Sequence, residues 1–197
     1  VKTIVVHEKP HLDECCALFL LKKFGRKKFP GISKAKIEFW GTGGTTPDGR
    51  QISDWENEGY LFLGIGGGAF DEHPTALSPR KEEECCATLV AKAIGVADDP
   101  ALELILRLVK NKDLGKGGDF LDLASIVKVK NQQSKDPLKV IRWTAAVLDE
   151  LYEEQKSFHY DAALELLKSS KEFEFTGLRG EKLRLVSVCS DHKQVNK

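Results

Sequence analysis

Three short apolar runs in the first third of the chain predict buried β-strands. Residues 2–6, 36–40 and 60–65 are rich in β-branched and aromatic residues, which favours strands. The third run is almost continuously apolar, as is typical of a central parallel strand. Long or helical connections separate the three runs. We therefore expect an α/β fold with a mainly parallel sheet and helices on both of its faces.

The pattern changes after residue 80, where apolar residues recur at helical spacing. This spacing predicts a helical middle from about residue 81 to 169, in the segments 81–94, 99–109, 120–129, 137–154 and 158–168. At the end of the chain, two alternating runs around a glycine-containing turn predict an antiparallel hairpin near 172–189. We divide the chain into an α/β domain, 1–169, and a hairpin segment, 170–197, that could begin a small C-terminal domain.

Charge and cysteine content exclude several classes of protein. The 197 residues contain 30 lysines and arginines against 30 aspartates and glutamates, so no global basic field favours nucleic-acid binding. No apolar run approaches the ~20 residues needed to span a membrane, and no signal peptide is visible before the first strand. Five cysteines, mostly in adjacent pairs, are untypical of a secreted disulfide framework. We therefore expect a cytoplasmic protein with no membrane partner.

Two histidines and an aspartate stand on the turn from the first strand into the first helix. His7, His11 and Asp13 have the spacing His-x-x-x-His-x-Asp. In open α/β sheets such a turn lies at the carboxyl edge, where ligands bind. Imidazole nitrogens and a carboxylate in one short loop can face a single divalent ion.

Two later loops carry similar groups. Asp71, Glu72 and His73 follow the third predicted strand. Asp113 stands in the polar stretch 110–118, which we expect to be a loop. Taken singly, these acids could be helix-capping or solvated turn residues. Three separate loops with metal-type ligands, brought to one sheet edge, together favour a metal site.

These motifs resemble those of the DHH phosphoesterase superfamily. The resemblance covers about residues 3–115 and rests on His7-x-x-x-His11-x-Asp13, on Gly66-Gly67 leading to Asp71-Glu72-His73, and on Asp113-x-Gly115. Within the superfamily, the first motif is most similar to the branch named metal-dependent protein hydrolase, that of melanocyte-proliferating-gene proteins, which are 3′–5′ RNA exonucleases. The resemblance implies a DHH-like α/β domain with a divalent-metal site, usually manganese.

The resemblance also implies roles for individual residues. The implied metal ligands are His7, His11, Asp13, Glu72 and Asp113. His73 would contact the phosphate or protonate the leaving group, and Asp71 would orient a neighbouring ligand. The implied cofactor is Mn²⁺ or Mg²⁺, as one or two ions, or none if the site has degenerated. The implied partner is a small phosphorylated substrate or a short RNA or DNA, hydrolysed at a phosphodiester or nucleotide.

Three positions depart from the superfamily pattern. His11 stands where an aspartate is usual, Glu72 where a ligand histidine is usual, and Gly64 where the strand usually ends in a metal-bridging aspartate. These departures leave a second interpretation open, a degenerate, non-catalytic module that binds a nucleotide or phosphorylated ligand. A third is a structural or interaction module whose acidic loops are incidental.

Other features also have two interpretations each. The glycine-rich stretches 41–46 and 64–68 could offer backbone N–H groups to phosphate or could be flexible turns. The basic run 22–28 could contact an RNA backbone or could be a solvated helix end. We interpret the cysteine pairs 15–16 and 85–86 as small buried thiols rather than metal or redox groups.

Overall fold

A computed structural model describes residues 1–41, 46, 48–74, 83–117 and 121–191. Its elements follow one another as β1 (Thr3–His7), α1 (Leu12–Phe24), β2 (Lys36–Trp40), α2 (Ile52–Asn57), β3 (Tyr60–Phe62), α3 (Cys86–Ile94), α4 (Pro100–Asp113), α5 (Leu123–Gln133), α6 (Pro137–Lys156), a π-helical turn (Ser157–Ala162), α7 (Ala163–Ser169), β4 (Lys171–Thr176) and β5 (Lys182–Ser187). The fold is therefore mixed α/β, as the sequence predicts.

The first strand of the sequence is the central strand of a parallel sheet of order β2–β1–β3. Ile4 lies opposite Ile37 on one side and Leu61 on the other. The predicted parallel sheet is confirmed. The carboxyl ends of its strands meet at one edge, where His7, the last residue of β1, lies opposite Trp40.

The third strand is shorter than the predicted run 60–65. β3 ends at Phe62, and Leu63 makes only an isolated parallel bridge to Phe70. Gly64 then adopts a φ of +64°, which takes the chain out of the extended conformation. The apolar run indicated burial correctly but overestimated the length of the strand.

Alternate residues of β1 lie in two different apolar clusters, as the two-residue period of a strand requires. Ile4 and Val6 belong to the main core, which includes residues of α1, α3, α4 and α6. Val5 belongs to a smaller cluster with Phe62, against which Trp55 of α2 packs. The sheet is therefore covered by apolar side chains on two sides.

The first helix is buried along most of its length. Every residue of α1 from Leu12 to Leu21 is buried, as in a helix that other elements surround. Two of these residues, Asp13 and Glu14, are acids. Carboxylates are almost never fully buried without a partner or a bound metal, so the start of α1 needs polar partners as well as apolar packing.

The helical middle is confirmed, although several of its helices differ from the predicted bounds, and one helix before it was not predicted. Helix α2 was not predicted, because only two of its six residues are apolar. Helix α4 continues to Asp113, so the predicted loop 110–118 begins as helix. Residues 81 and 120, where two helices were predicted to begin, lie outside the described residues, but α3 and α5 begin later than predicted, at Cys86 and Leu123. None of the described helices combines the length and apolar character needed to cross a membrane.

The predicted hairpin is confirmed as the antiparallel pair β4–β5. Phe173 lies opposite Leu185, and every residue of both strands is exposed. The hairpin therefore contributes little apolar burial to the core. The division into a domain of residues 1–169 and a segment of residues 170–197 stays a prediction.

Candidate metal centre

Three carboxylates from distant parts of the chain converge at the carboxyl edge of the sheet. Asp13 lies in the first turn of α1, Glu72 follows the Leu63–Phe70 bridge, and Asp113 is the last residue of α4. One oxygen from each of these three side chains lies within 4.8 Å of the others. We call these residues the acid cluster. Oxygen atoms at such separations can share one cation.

Glu72 is the least satisfied member of the acid cluster. Its exposed fraction is 0%, and neither carboxylate oxygen has a hydrogen-bond partner within the part of the chain that the structure describes. The Nδ1 atom of His73 lies 3.5 Å from Oε1, beyond ordinary hydrogen-bonding distance. A buried carboxylate without a hydrogen bond costs free energy. The charge of His73 opposes the effect of burial on the pKa of Glu72, but burial is the larger of the two.

Burial and mutual repulsion make it unfavourable for all three carboxylates of the acid cluster to be ionised together. Burial raises the pKa of Asp13 well above its ordinary value, and the negative charges of Glu14, Asp113 and Glu72 add to the rise. Burial is also the main cause that raises the pKa of Glu72. Asp113 stands at the C-terminal end of α4, where the helix dipole is itself negative. A bound cation would relieve all three effects together.

The first predicted histidine is held by an acid that sequence analysis did not single out. The Nδ1 atom of His7 lies 2.7 Å from Glu14 Oε1, which also accepts a hydrogen bond from the His7 backbone N–H at 3.0 Å. Glu14 Oε2 accepts a bond from the His11 N–H at 2.7 Å. The bond to Glu14 raises the pKa of His7 against the opposing effect of burial, and the charges of Glu14, Asp71 and Glu72 add to the rise.

The signal that could have identified Glu14 is its position in the helix. His11 is the N-cap of α1, and Glu14, three residues later, reaches back to the N-cap backbone N–H. This is the arrangement of a capping box, for which a glutamate at the third helical position is the usual sequence sign.

The exposed histidine of the second motif is paired with a buried aspartate. The Nδ1 atom of His73 lies 2.8 Å from Asp71 Oδ1, which also accepts the His73 backbone N–H at 3.0 Å. Asp71 Oδ2 accepts the N–H of Gly67 at 2.7 Å. Asp71 is buried whereas half of the His73 side chain is exposed. This pair has the geometry of a histidine whose ring is fixed by a carboxylate.

The seven residues predicted for the site fall into overlapping groups. His11 lies within 4.8 Å of Asp13 and Glu14, and His73 lies within the same distance of Asp71 and Glu72. The acid cluster connects the two groups through the shared residues Asp13 and Glu72. His7 is connected through Glu14 and is not in the acid cluster itself. The assignment of ligands and catalytic residues stays a prediction.

One glycine stretch now has a structural explanation. The N–H of Gly67 donates to Asp71, and the N–H of Gly64 donates to the carbonyl of Phe70 at 2.9 Å. These two donors are therefore used within the loop, which favours the turn over the phosphate cradle for them. The other stretch, 41–46, lies mostly outside the described residues.

The basic run and the paired cysteines have largely structural surroundings. Lys22 Nζ donates to the carbonyls of Ile32 and Ala35 at 2.6 and 3.1 Å, and Lys23 pairs with Asp149 and Glu153 of α6. Lys22 and Lys23 of the basic run are thus used in packing helix α1.

The four paired cysteines are free thiols buried in the main core, Cys15, Cys16, Cys85 and Cys86.

The chain matches no protein-family model, and no curated protein or solved structure shows significant similarity to it.

Proposed function

We propose that the acid cluster binds a divalent cation, Mn²⁺ or Mg²⁺, and that the chain is a metal-dependent phosphoesterase with a DHH-like domain. The observation that carries the proposal is the carboxylate of Glu72, buried, without hydrogen bonds and facing Asp13 and Asp113. Three carboxylates suit hard cations with oxygen ligands. A bound cation would balance the negative charges of the three carboxylates.

The remaining predicted groups have complementary roles in this proposal. When bound, the ion would act as a Lewis acid on a phosphoryl oxygen. Because Asp71 engages Nδ1 of His73, Nε2 is the nitrogen left to contact the phosphate or to donate a proton to the leaving group. His7 and His11 are proposed as additional ligands. The substrate is a phosphodiester or a small nucleotide, including short RNA or DNA.

The DHH-like interpretation also has helices on both faces of the sheet. It is supported by Trp55 of α2, which packs beside Val5, whereas α1 packs beside Ile4. The buried free thiols fit the cytoplasmic location proposed from the sequence.

A second candidate is a non-catalytic module that binds a nucleotide or phosphorylated ligand through one ion. The observation that favours it is Gly64, which offers no side chain two residues after β3 and lies directly beside Glu14. A second ion would therefore lack a carboxylate from this strand, and two cations without a bridging anion repel each other. The first candidate hydrolyses its substrate, whereas the second only binds a ligand, so an assay of hydrolysis separates them.

The test combines metal analysis with turnover. Protein purified without chelator is assayed for bound metal, and then for hydrolysis of a chromogenic phosphodiester and a short RNA across a manganese series. We expect metal in the wild type and its loss in Asp113→Asn, whereas Asp98→Asn, an exposed aspartate before the same helix, should retain it. Metal without turnover supports the binding module. Absence of metal affinity in the wild type rejects both candidates.

A further inference from the structure

Glu14, next to Asp13 in the first turn of α1, is also a buried acid, but its contacts differ from those of the acid cluster. Its two oxygens accept hydrogen bonds from the backbone N–H groups of His7 and His11, and Oε1 also contacts the ring of His7. An ionised carboxylate offers about four lone-pair sites, and three partners already use most of them. Glu14 therefore serves the loop between β1 and α1 rather than an ion.

The contact with the ring has a consequence for the chemistry of His7. An ionised carboxylate can only accept hydrogen bonds, so the His7 nitrogen at 2.7 Å from Oε1 must carry a proton. In a neutral imidazole the other nitrogen, Nε2, is then an unprotonated acceptor. Metal-binding histidines are commonly fixed in this way by a carboxylate on the second nitrogen.

Gly64, in the loop after β3, leaves space for the side chain of Glu14. A Cβ atom built on Gly64 would lie 3.0 Å from Cγ and 3.4 Å from Cδ of Glu14. Gly64 also has a φ of +64°, which side-chain-bearing residues rarely adopt. A residue with a side chain at this position would require Glu14 to shift.

We infer that Glu14 is a positioning residue that fixes His7 as the tautomer with its proton on Nδ1, leaving the Nε2 lone pair to contact a cation or its ligand. The inference rests on the proposed function for what His7 contacts, and on the observed hydrogen bonds for the tautomer.

The tautomer can be measured without any metal, by long-range ¹H–¹⁵N correlation of the His7 ring in the chelator-treated wild type at a pH where His7 is neutral. We expect a protonated Nδ1 and an unprotonated Nε2. A protonated Nε2 in the wild type overturns the inference, whether or not the protein later proves to bind metal. This measurement needs no variant and is independent of folding defects.

The role of Glu14 is then tested with Glu14→Ala and a matched control, Glu8→Ala, which removes an exposed acid from the same loop. We expect Glu14→Ala to lose the fixed tautomer and to weaken Mn²⁺ binding about 10- to 100-fold, as is usual when the partner of a metal-binding histidine is removed. Glu8→Ala should change neither. A folded Glu14→Ala protein with the wild-type tautomer overturns the inference. A changed tautomer in a protein without metal affinity supports it and rejects the proposed function instead.

Discussion

The backbone of Gly64 lies against the side chain of Glu14, so that a Cβ atom at residue 64 would approach Glu14 Cγ to 3.0 Å. This relationship connects the end of β3 with the first turn of α1. It also accounts for a glycine at residue 64. The space and the backbone conformation at this site are both unsuited to a side chain.

We therefore expect Gly64→Ala and Gly64→Asp to destabilise the protein. The left-handed backbone at residue 64 costs about 1–3 kcal/mol for a residue with a Cβ, and crowding against Glu14 adds to this cost. Gly95→Ala is the control, because Gly95 has a φ of +75° but nothing within 4 Å of an added Cβ. Chemical denaturation of the three variants measures the difference. Equal losses in Gly64→Ala and Gly95→Ala would show that crowding is negligible.

Replacement of the unsatisfied acid should have opposite effects with and without metal. Without metal, Glu72→Gln should be at least as stable as the wild type at pH 7, because it removes a buried charge that lacks a hydrogen bond. With Mn²⁺ at about 100 times its Kd, the wild type should gain ~2.7 kcal/mol, whereas the variant gains less. Thermal unfolding with EDTA and with Mn²⁺ tests both effects. A variant that is stabilised by Mn²⁺ as much as the wild type would contradict the site.

The pKa of Glu72 predicts how this difference depends on pH. A carboxyl group whose folded-state pKa is raised favours folding at low pH and loses that contribution as the pH rises. The stability of Glu72→Gln relative to the metal-free wild type should therefore grow once the pH exceeds ~4.3, the ordinary glutamate pKa. It should stop growing above the raised folded-state pKa. Parallel denaturation series from pH 4 to 8 measure this change. A difference in stability that shrinks with rising pH would show that the pKa of Glu72 is not raised in the folded protein.

Cysteine reactivity should distinguish the core from the surface. Burial raises the pKa of Cys85 to about 12, and Cys15, Cys16 and Cys86 are buried as well, whereas Cys189 is exposed. We expect one alkylated thiol in the native protein and five after unfolding, because thiolates are the reactive form. Mass spectrometry counts the adducts, with Cys189→Ser as the control. Rapid alkylation of more than one native thiol would show that the core opens readily.

Core and hairpin substitutions should differ strongly in their effects on stability. Leu148→Ala removes a buried side chain of α6 and should cost about 2–5 kcal/mol. Phe173 of β4 is 49% exposed, so Phe173→Ser should change the free energy of unfolding of the core by only about 0.5 kcal/mol. Denaturation monitored by tryptophan fluorescence compares the two. A large loss in Phe173→Ser would mean that the hairpin stabilises the core.

The parts of the fold that sequence predicted best are those with a regular apolar pattern. The strand at 36–40 has the predicted bounds, and the hairpin agrees to within a few residues. Helix α2 and the last turn of α4 were not predicted, because polar side chains predominate there and their helical structure leaves no apolar stripe. The pattern of apolar residues cannot predict a helical turn that consists mainly of polar residues.

The candidate site was predictable as a set of residues but not as an arrangement. Sequence indicated that Asp13, Glu72 and Asp113 belong near one sheet edge, and the structure brings them within 4.8 Å. It did not indicate that Glu72 lacks a hydrogen bond or that Glu14 holds His7. Such facts depend on which groups meet across long sequence separations, and residue types alone do not contain them.

The central position of β1 also bears on the order in which the protein can acquire its structure during synthesis. Thr3 pairs with Lys36 and with Tyr60, so β1 is translated before both of its partner strands, and its hydrogen bonds are complete only after they have been made. The acid cluster is complete later still, only after Asp113 has been translated. At the usual elongation rate of about 5–20 residues per second, the apolar face of β1 is unprotected for several seconds in the nascent chain. The acid cluster can form only after that interval, because Asp113 is translated more than a hundred residues later than β1.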